Sequence, residues 1–350
     1  MAQYVEAVLC EADAYRGLIG KIDTVFIGGG TPSILPSYQL DKLLKGLRER
    51  FQIPSDIEFT TEANPGTLTA HWLDAAVSNG VNRVSIGMQA AQPWLLNRLG
   101  RIHTMDDVVS SMQMLRKHGI ANVNLDLMFG LPGQTLPMWM ETLDAALSLS
   151  PEHLSCYGLI PEEGTPLKQD IDAGRLALPD EDVERDMYDA TLRKLASFGY
   201  TQYEISNFAK PGFECRHNVG YWKQAPYIGL GAAAASMFQQ EDGELRTTNP
   251  ASITQYLQMV HGNNWDLRTQ ETVSPSDARF ETLMLGLRMT SGVSEVEFEQ
   301  RHGIELSTYR GAKLKWLAEH GLLVHTEGKW CLTRAGMDVQ NAVLVELMDD

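Results

Sequence analysis

Gly28-Gly29-Gly30-Thr31-Pro32-Ser33 follows directly on the apolar run Val25-Phe26-Ile27. Glycines at the C-terminal end of a strand let the backbone turn tightly and approach a ligand without a Cβ in the way. A plain structural turn accounts for such a segment equally well. It is no phosphate loop, because the lysine of G-x-x-x-x-G-K-[ST] is missing. Four further polar residues stand where strands end. Glu62 lies in Thr61-Glu62-Ala63-Asn64-Pro65-Gly66, Gln89 follows Ser85-Ile86-Gly87-Met88, and Arg101 lies in Leu99-Gly100-Arg101-Ile102-His103-Thr104. Asp126 sits in Asn124-Leu125-Asp126-Leu127-Met128, ahead of Phe129-Gly130-Leu131-Pro132-Gly133. Carboxylates and an amide suit hydroxyls and an ammonium, and a guanidinium suits a carboxylate. An amino-acid nucleoside such as S-adenosylmethionine carries all of these groups. Each residue alone is an ordinary loop residue; in order, on successive strand ends, they point to one site.

The elements that must position them form an alternating pattern. Strands are expected at Thr24–Ile27, Ile57–Glu62, Arg83–Met88, Val123–Met128, Leu154–Leu159 and Tyr203–Ile205. Helices fall between them: Leu40, Leu43, Leu44 and Leu47 make an i, i+3, i+4, i+7 stripe. Others span Leu73–Ser78, Met105–His118, Pro137–Ser148 after an N-cap Thr135, and Asp180–Phe198. Repeated strand–helix units predict a parallel sheet with right-handed crossovers, whose ligands sit at the C-terminal strand ends. Residues 2–20 are helical in pattern, with Val5, Val8, Leu9 and Ala12 on one face, and lead straight into the Thr24 strand. A crossover helix with no strand ahead of it implies a missing first strand; a helix that covers the sheet edge is the other reading. Residues 206–270 read as irregular. From Ser274 on, three helices, a two-strand wing and a last helix (Ala335–Met348) resemble a winged-helix module. Residues 271–350 carry 13 acidic and 8 basic residues, the wrong balance for reading DNA. The expected divisions are 1–210, 211–270 and 271–350.

Composition excludes several classes. The 350 residues hold 45 acidic against 29 basic side chains, a net charge of −16. Such a surface repels phosphate backbones, which argues against a nucleic-acid partner. No run approaches the roughly 20 apolar residues of a membrane span, and the N-terminus lacks signal-peptide character. A cytoplasmic location is expected. Cys10, Cys156, Cys215 and Cys331 are too scattered for a disulfide framework. No H-E-x-x-H or G-x-S-x-G occurs, so zinc hydrolases and serine hydrolases have no support.

Thr24–Ser33, Glu62–Pro65, Arg83–Gln89, Gly100–His103 and Asn124–Pro132 resemble the coproporphyrinogen III oxidase-like radical SAM family. His217-Asn218-Val219-Gly220-Tyr221-Trp222 matches the HNxxYW signature of its HemW-type heme chaperone branch. Tyr203–Ala209 and Leu332–Gly336 are similar too. The resemblance implies a partial parallel (β/α)6 barrel of radical SAM type, lacking its first strand, with a C-terminal helical, winged-helix-like domain. It implies S-adenosylmethionine at Gly29, Gly30, Thr31, Glu62, Gln89, Arg101 and Asp126. It implies heme at His217, Tyr221 and Trp222, since imidazole is a normal axial ligand and aromatic rings stack on a porphyrin; a motif that merely locks the turn after the barrel is the alternative. A heme-accepting protein would be the partner.

Two departures stand out. The family's CxxxCxxC, whose thiolates hold a 4Fe–4S cluster, has no counterpart, and no two cysteines lie within 50 residues of each other. In Gly229–Ser236 an alanine precedes the serine where many relatives place a histidine. The missing strand and missing thiolates both belong to one N-terminal block, so the cluster is expected only with that block restored, and radical chemistry is not expected of this form. An oxygen-independent coproporphyrinogen III oxidase and a binding protein without cofactor are the competing functions.

Overall fold

The computed structural model describes residues 1–240 and 243–348. The chain divides into two compact units: residues 19–202 with 206–214, and residues 1–18 with 203–205 and 215–350.

The first unit is built on a seven-stranded sheet. Its strands are β1 (Thr24–Ile27), β2 (Glu58–Ala63), β3 (Arg83–Gln89), β4 (Asn122–Phe129), β5 (His153–Gly158), β6 (Thr201–Gln202) and β7 (Asn207–Ala209), in the order β1-β2-β3-β4-β5-β7-β6. β1 to β5 pair in parallel, as the alternation of strands and helices predicts. Period-two sorting of side chains puts Val84, Ile86, Met88, Val123, Leu125 and Leu127 into the core under the helices. Arg83, Ser85, Gln89, Asn122, Asn124 and Asp126 occupy the other face. Leu40, Leu44 and Leu47 are the buried stripe of the helix Ser37–Arg50, and Thr104 with Asp107 forms a capping box that starts the helix Met105–Lys117.

The expected sixth parallel strand, Tyr203–Ile205, is not a strand of this sheet. β7 runs antiparallel to β5, and β6 antiparallel to β7. The physical reason is polar: the Glu204 carboxylate, fully buried, accepts from Arg288 Nε at 2.7 Å, and the Tyr203 hydroxyl accepts the Cys215 amide. The chain leaves the sheet at 203 to make these contacts and returns at 206 with its direction reversed.

The second unit corrects two further expectations. Residues 206–270 are not irregular throughout: β8 (Ala235–Gln240), β9 (Gly243–Thr248) and β10 (Thr269–Val273) form an antiparallel sheet, with the helix Ile253–His261 between β9 and β10 in the chain. The N-terminal helix, Ala2–Ala14, belongs to this unit rather than to the parallel sheet. Its Glu11 is fully buried and accepts from the Gly231 amide (2.8 Å), Asn249 Nδ2 (2.7 Å), the Tyr256 hydroxyl (2.7 Å) and Arg268 (2.6 Å). A carboxylate with four donors waiting for it decides where an amphipathic helix docks.

The same unit ends in the module expected from the pattern. Helices Pro275–Gly286, Glu295–His302 and Leu306–Glu319 pack with β11 (Val293–Ser294), β12 (Leu323–Thr326) and β13 (Lys329–Leu332), ordered β11-β13-β12, around Leu283, Leu287, Phe298, Leu314 and Leu317. The last helix is two, Arg334–Asp338 and Gln340–Leu347, broken at Val339.

Glu11→Ala leaves the Arg268 guanidinium, 11% exposed, without its carboxylate. Removing one partner of a buried pair costs about 3–5 kcal/mol. Urea unfolding should show that loss, and Glu11→Gln a smaller one, since the amide oxygen still accepts.

Candidate functional site

At the end of β1 the glycines have separate jobs. A Cβ on Gly28 would lie 2.6 Å from the Phe26 ring and 2.8 Å from the Glu62 carboxyl carbon, so only glycine fits. Gly29 takes φ +80, the left-handed region that favours glycine, and its N–H donates to Glu62 Oε2 at 3.2 Å. Nothing lies within 4 Å of an added Cβ on Gly29 or Gly30, so the turn faces open space. Asn64 Nδ2 donates to the Thr31 hydroxyl at 3.0 Å, and Asn64 Oδ1 accepts from Arg101 at 3.5 Å. Gln89 ends β3 beside a register shift between Gly87 and Gln89, buried and at φ +64. A non-glycine residue held there is strained, and such strain clusters at ligand sites.

Asp126 is held by its neighbours on the same sheet face. Ser85 Oγ donates to Oδ2 and Asn124 Nδ2 to Oδ1, both at 2.8 Å. Asn124 Oδ1 in turn accepts from a His153 ring nitrogen at 2.6 Å and from Ser155 at 3.2 Å. An amide oxygen only accepts, so His153 Nδ1 carries the proton; burial, with the Arg83 guanidinium, holds that imidazole neutral. Burial raises the Asp126 carboxyl above its ordinary value, against the bonds from Ser85, Asn124 and Ser155 and the charge of Arg83. Burial raises Glu62 as well, and the negative charge of Asp126 adds to it, while the Gly29 amide opposes both. His103, buried, meets the Met88 carbonyl at 3.2 Å and is kept neutral by burial. Two carboxyls both raised by burial, Glu62 further by the charge of Asp126, leave a place suited to a ligand's ammonium or hydroxyls, with Arg101 nearby for an anionic group.

The structure thus links Gly29 to Glu62, and Thr31 through Asn64 to Arg101; Glu62 also feels the charge of Asp126. Asn64, Ser85, Asn124 and His153 were not singled out from the sequence. The signal for one of them, Asn124, was present: Asn122, Asn124 and Asp126 alternate with Val123, Leu125 and Leu127, which marks a strand with one polar face.

His217, Tyr221 and Trp222 lie in the second unit, on the seven-residue helix Arg216–Trp222. His217 and Tyr221, four residues apart, share a face and meet edge-on, ring centroids 4.8 Å apart at 85°. Tyr221 is 39% exposed. Trp222 points elsewhere: Arg288 lies over its ring at 4.5 Å, and its indole nitrogen is buried. Arg288, held by Glu204, carries no sequence signal, being 66 residues from Trp222.

Thiolates for an iron–sulfur cluster are a different matter. Among the described residues no three cysteine, histidine, aspartate or glutamate side chains gather to hold a metal. Cys156 is enclosed in the core, where burial pushes its thiol up, and Cys215 is buried too. The cysteines of this chain do not fit a 4Fe–4S cluster. No helix among the described residues is long and apolar enough to cross a membrane.

Residues 3–146 match the radical SAM superfamily, and residues 273–339 match the HemN C-terminal domain. Heme chaperone HemW of Bacillus subtilis (strain 168) is 40% identical over 323 residues, 92% of this chain and 84% of that protein. The chain belongs to the HemW family. Heme chaperone HemW of Escherichia coli (strain K12) is 36% identical over 93% of this chain and 83% of its own length. Among solved structures, coproporphyrinogen III oxidase (HemN) from Escherichia coli, a radical SAM enzyme, superposes with a TM-score of 0.82 at 24% identity, over 99% of this chain and 82% of that one. The HemW family membership and this shared fold account for the mostly parallel sheet followed by a helical C-terminal domain.

A carboxyl whose pKa is raised on folding favours the folded state below its usual range and loses that contribution as pH rises. Glu62→Gln removes the ionisation and keeps an oxygen for Gly29. In denaturant unfolding from about pH 4 to about pH 8, the variant should gain on the wild type as pH rises and converge with it at the acid end. A gap that does not depend on pH would show that Glu62 ionises as freely as in the unfolded chain.

Proposed function

We propose that this protein is a heme chaperone, which binds heme at the segment of His217 and passes it to an accepting protein. The observation that carries the reading is the His217–Trp222 segment, folded as a short helix with His217 and Tyr221 on one face, in a chain 40% identical to a heme chaperone HemW. In this reading His217 ligates the heme iron and Tyr221 borders the porphyrin, whereas Trp222, expected beside them, turns to Arg288 instead. The negative charge of the chain speaks against nucleic acid as the partner.

The strand ends are proposed to hold S-adenosylmethionine, which when bound supplies an activated sulfonium. Gly29, Gly30 and Thr31 lie along its methionyl part. Glu62, Gln89 and Asp126 meet its ammonium and ribose hydroxyls, and Arg101 takes its carboxylate. Asn64 and Ser85 orient these groups, and neutral His153 keeps Asn124 turned towards Asp126. This reading includes no radical step for the chain, whose four cysteines lie more than 50 residues apart. The oxidase reading rests on shared fold alone, and 24% identity carries no activity.

Titration with hemin should give a Soret band shifted from that of free hemin, and His217→Ala should weaken binding about tenfold or more. Unchanged binding would remove His217 as the ligand. Anaerobic reconstitution of the 350-residue chain with iron and sulfide should leave no stoichiometric visible band; its appearance would show that scattered cysteines do assemble a cluster.

A further inference from the structure

Seven residues make barely two turns of helix, and Arg216–Trp222 has no side-chain bond at its N-cap. So short an element does not by itself hold an imidazole in one orientation. Its C-terminal end is tied down: Arg301 donates to the carbonyls of Lys223 and Gln224, at 3.3 and 3.1 Å, and to Glu244 at 2.8 Å. Its exposed face is tied down by rings. Tyr221 meets His217 edge-on at 4.8 Å, and Tyr227 meets Tyr221 edge-on at 4.8 Å and 83°. Tyr227 is the anchored end of this row. Its amide donates to the Met237 carbonyl at 3.1 Å and its carbonyl accepts the Met237 amide at 2.9 Å, which fastens it to β8. Met237 itself is buried in that strand.

We propose that Tyr227, outside the HNxxYW motif, is a positioning residue that fixes the His217 imidazole through Tyr221. Edge-to-face contacts favour one ring orientation over its neighbours, so two in series carry the rigidity of β8 to a side chain on a short helix. The ring does this, not the hydroxyl. The proposal rests on the reading of His217 as the heme ligand, and its test separates the two.

Tyr227→Phe keeps the ring; Tyr227→Leu keeps apolar bulk and removes it, which limits the risk to folding. In the heme-free protein, the His217 ring resonances (assigned with His217→Gln) should be unchanged in Tyr227→Phe and should shift towards averaged positions in Tyr227→Leu. With hemin, Tyr227→Leu should bind about two- to tenfold more weakly and broaden the electron paramagnetic resonance signal, while Tyr227→Phe matches the wild type. Wild-type ring resonances and hemin spectrum in Tyr227→Leu would overturn the proposal, as would a Tyr227→Phe that behaves like Tyr227→Leu. If the wild type fails to bind hemin, the heme reading falls, and the ring resonances still decide whether Tyr227 positions His217.

Discussion

The contact between the Glu62 carboxylate and the Gly29 amide governs how the ends of β1 and β2 meet. It exists because position 28 has no side chain; an alanine there would place its Cβ 2.8 Å from the Glu62 carboxyl carbon. With the carboxylate seated, Gly29 turns into the left-handed region and leaves open space above the glycines. From there the polar groups follow the sheet outward, rung by rung: Ser85 on β3, Asn124 and Asp126 on β4, His153 and Ser155 on β5. Asn124 joins them, bonded to Ser85, Asp126, His153 and Ser155, while Ser85 also donates to Asp126. A carboxylate drawn partly out of water is costly unless its oxygens are satisfied, and this row satisfies those of the half-buried Asp126.

Most of this unit was legible in the sequence because its causes are local. Runs such as Val25-Phe26-Ile27 and Arg83–Met88 take the extended form and lie side by side once helices of the right length intervene. Polar residues at their ends then collect along one edge. The exceptions have long-range causes. Tyr203–Ile205 has the composition of a strand, yet Glu204 leaves the sheet for Arg288, 84 residues on. The helix Ala2–Ala14 has the stripe of any crossover helix, but Glu11 has partners 220 to 257 residues away. Neither destination has a local signature, because an acidic residue on an otherwise apolar face reads as a solvated one until its donors are known.

The candidate site residues divide in the same way. Gly29, Glu62, Gln89, Arg101 and Asp126 could be picked out because strand ends are visible. Their supports were hidden, since an asparagine one turn of the pleat below an aspartate looks like any polar residue. On the helix of His217, spacing alone put Tyr221 beside the imidazole, whereas Arg288 and Tyr227 reach their rings only through tertiary structure. The bulge at Gln89 was likewise silent: a glutamine with positive φ has no counterpart in composition or periodicity.

The pairing of residues 1–18 with 215–350 has a consequence for how the protein is made. During translation the helix Ala2–Ala14 leaves the ribosome ahead of the sheet, but the donors that bury Glu11 belong to residues 231–268 and are synthesised long afterwards. The parallel sheet, contained within residues 19–214, has all its strands much earlier. Domains fold as units during synthesis, so the sheet can close while that helix still waits. In the interval that waiting helix exposes Val5, Val8 and Leu9 to whatever holds nascent chains.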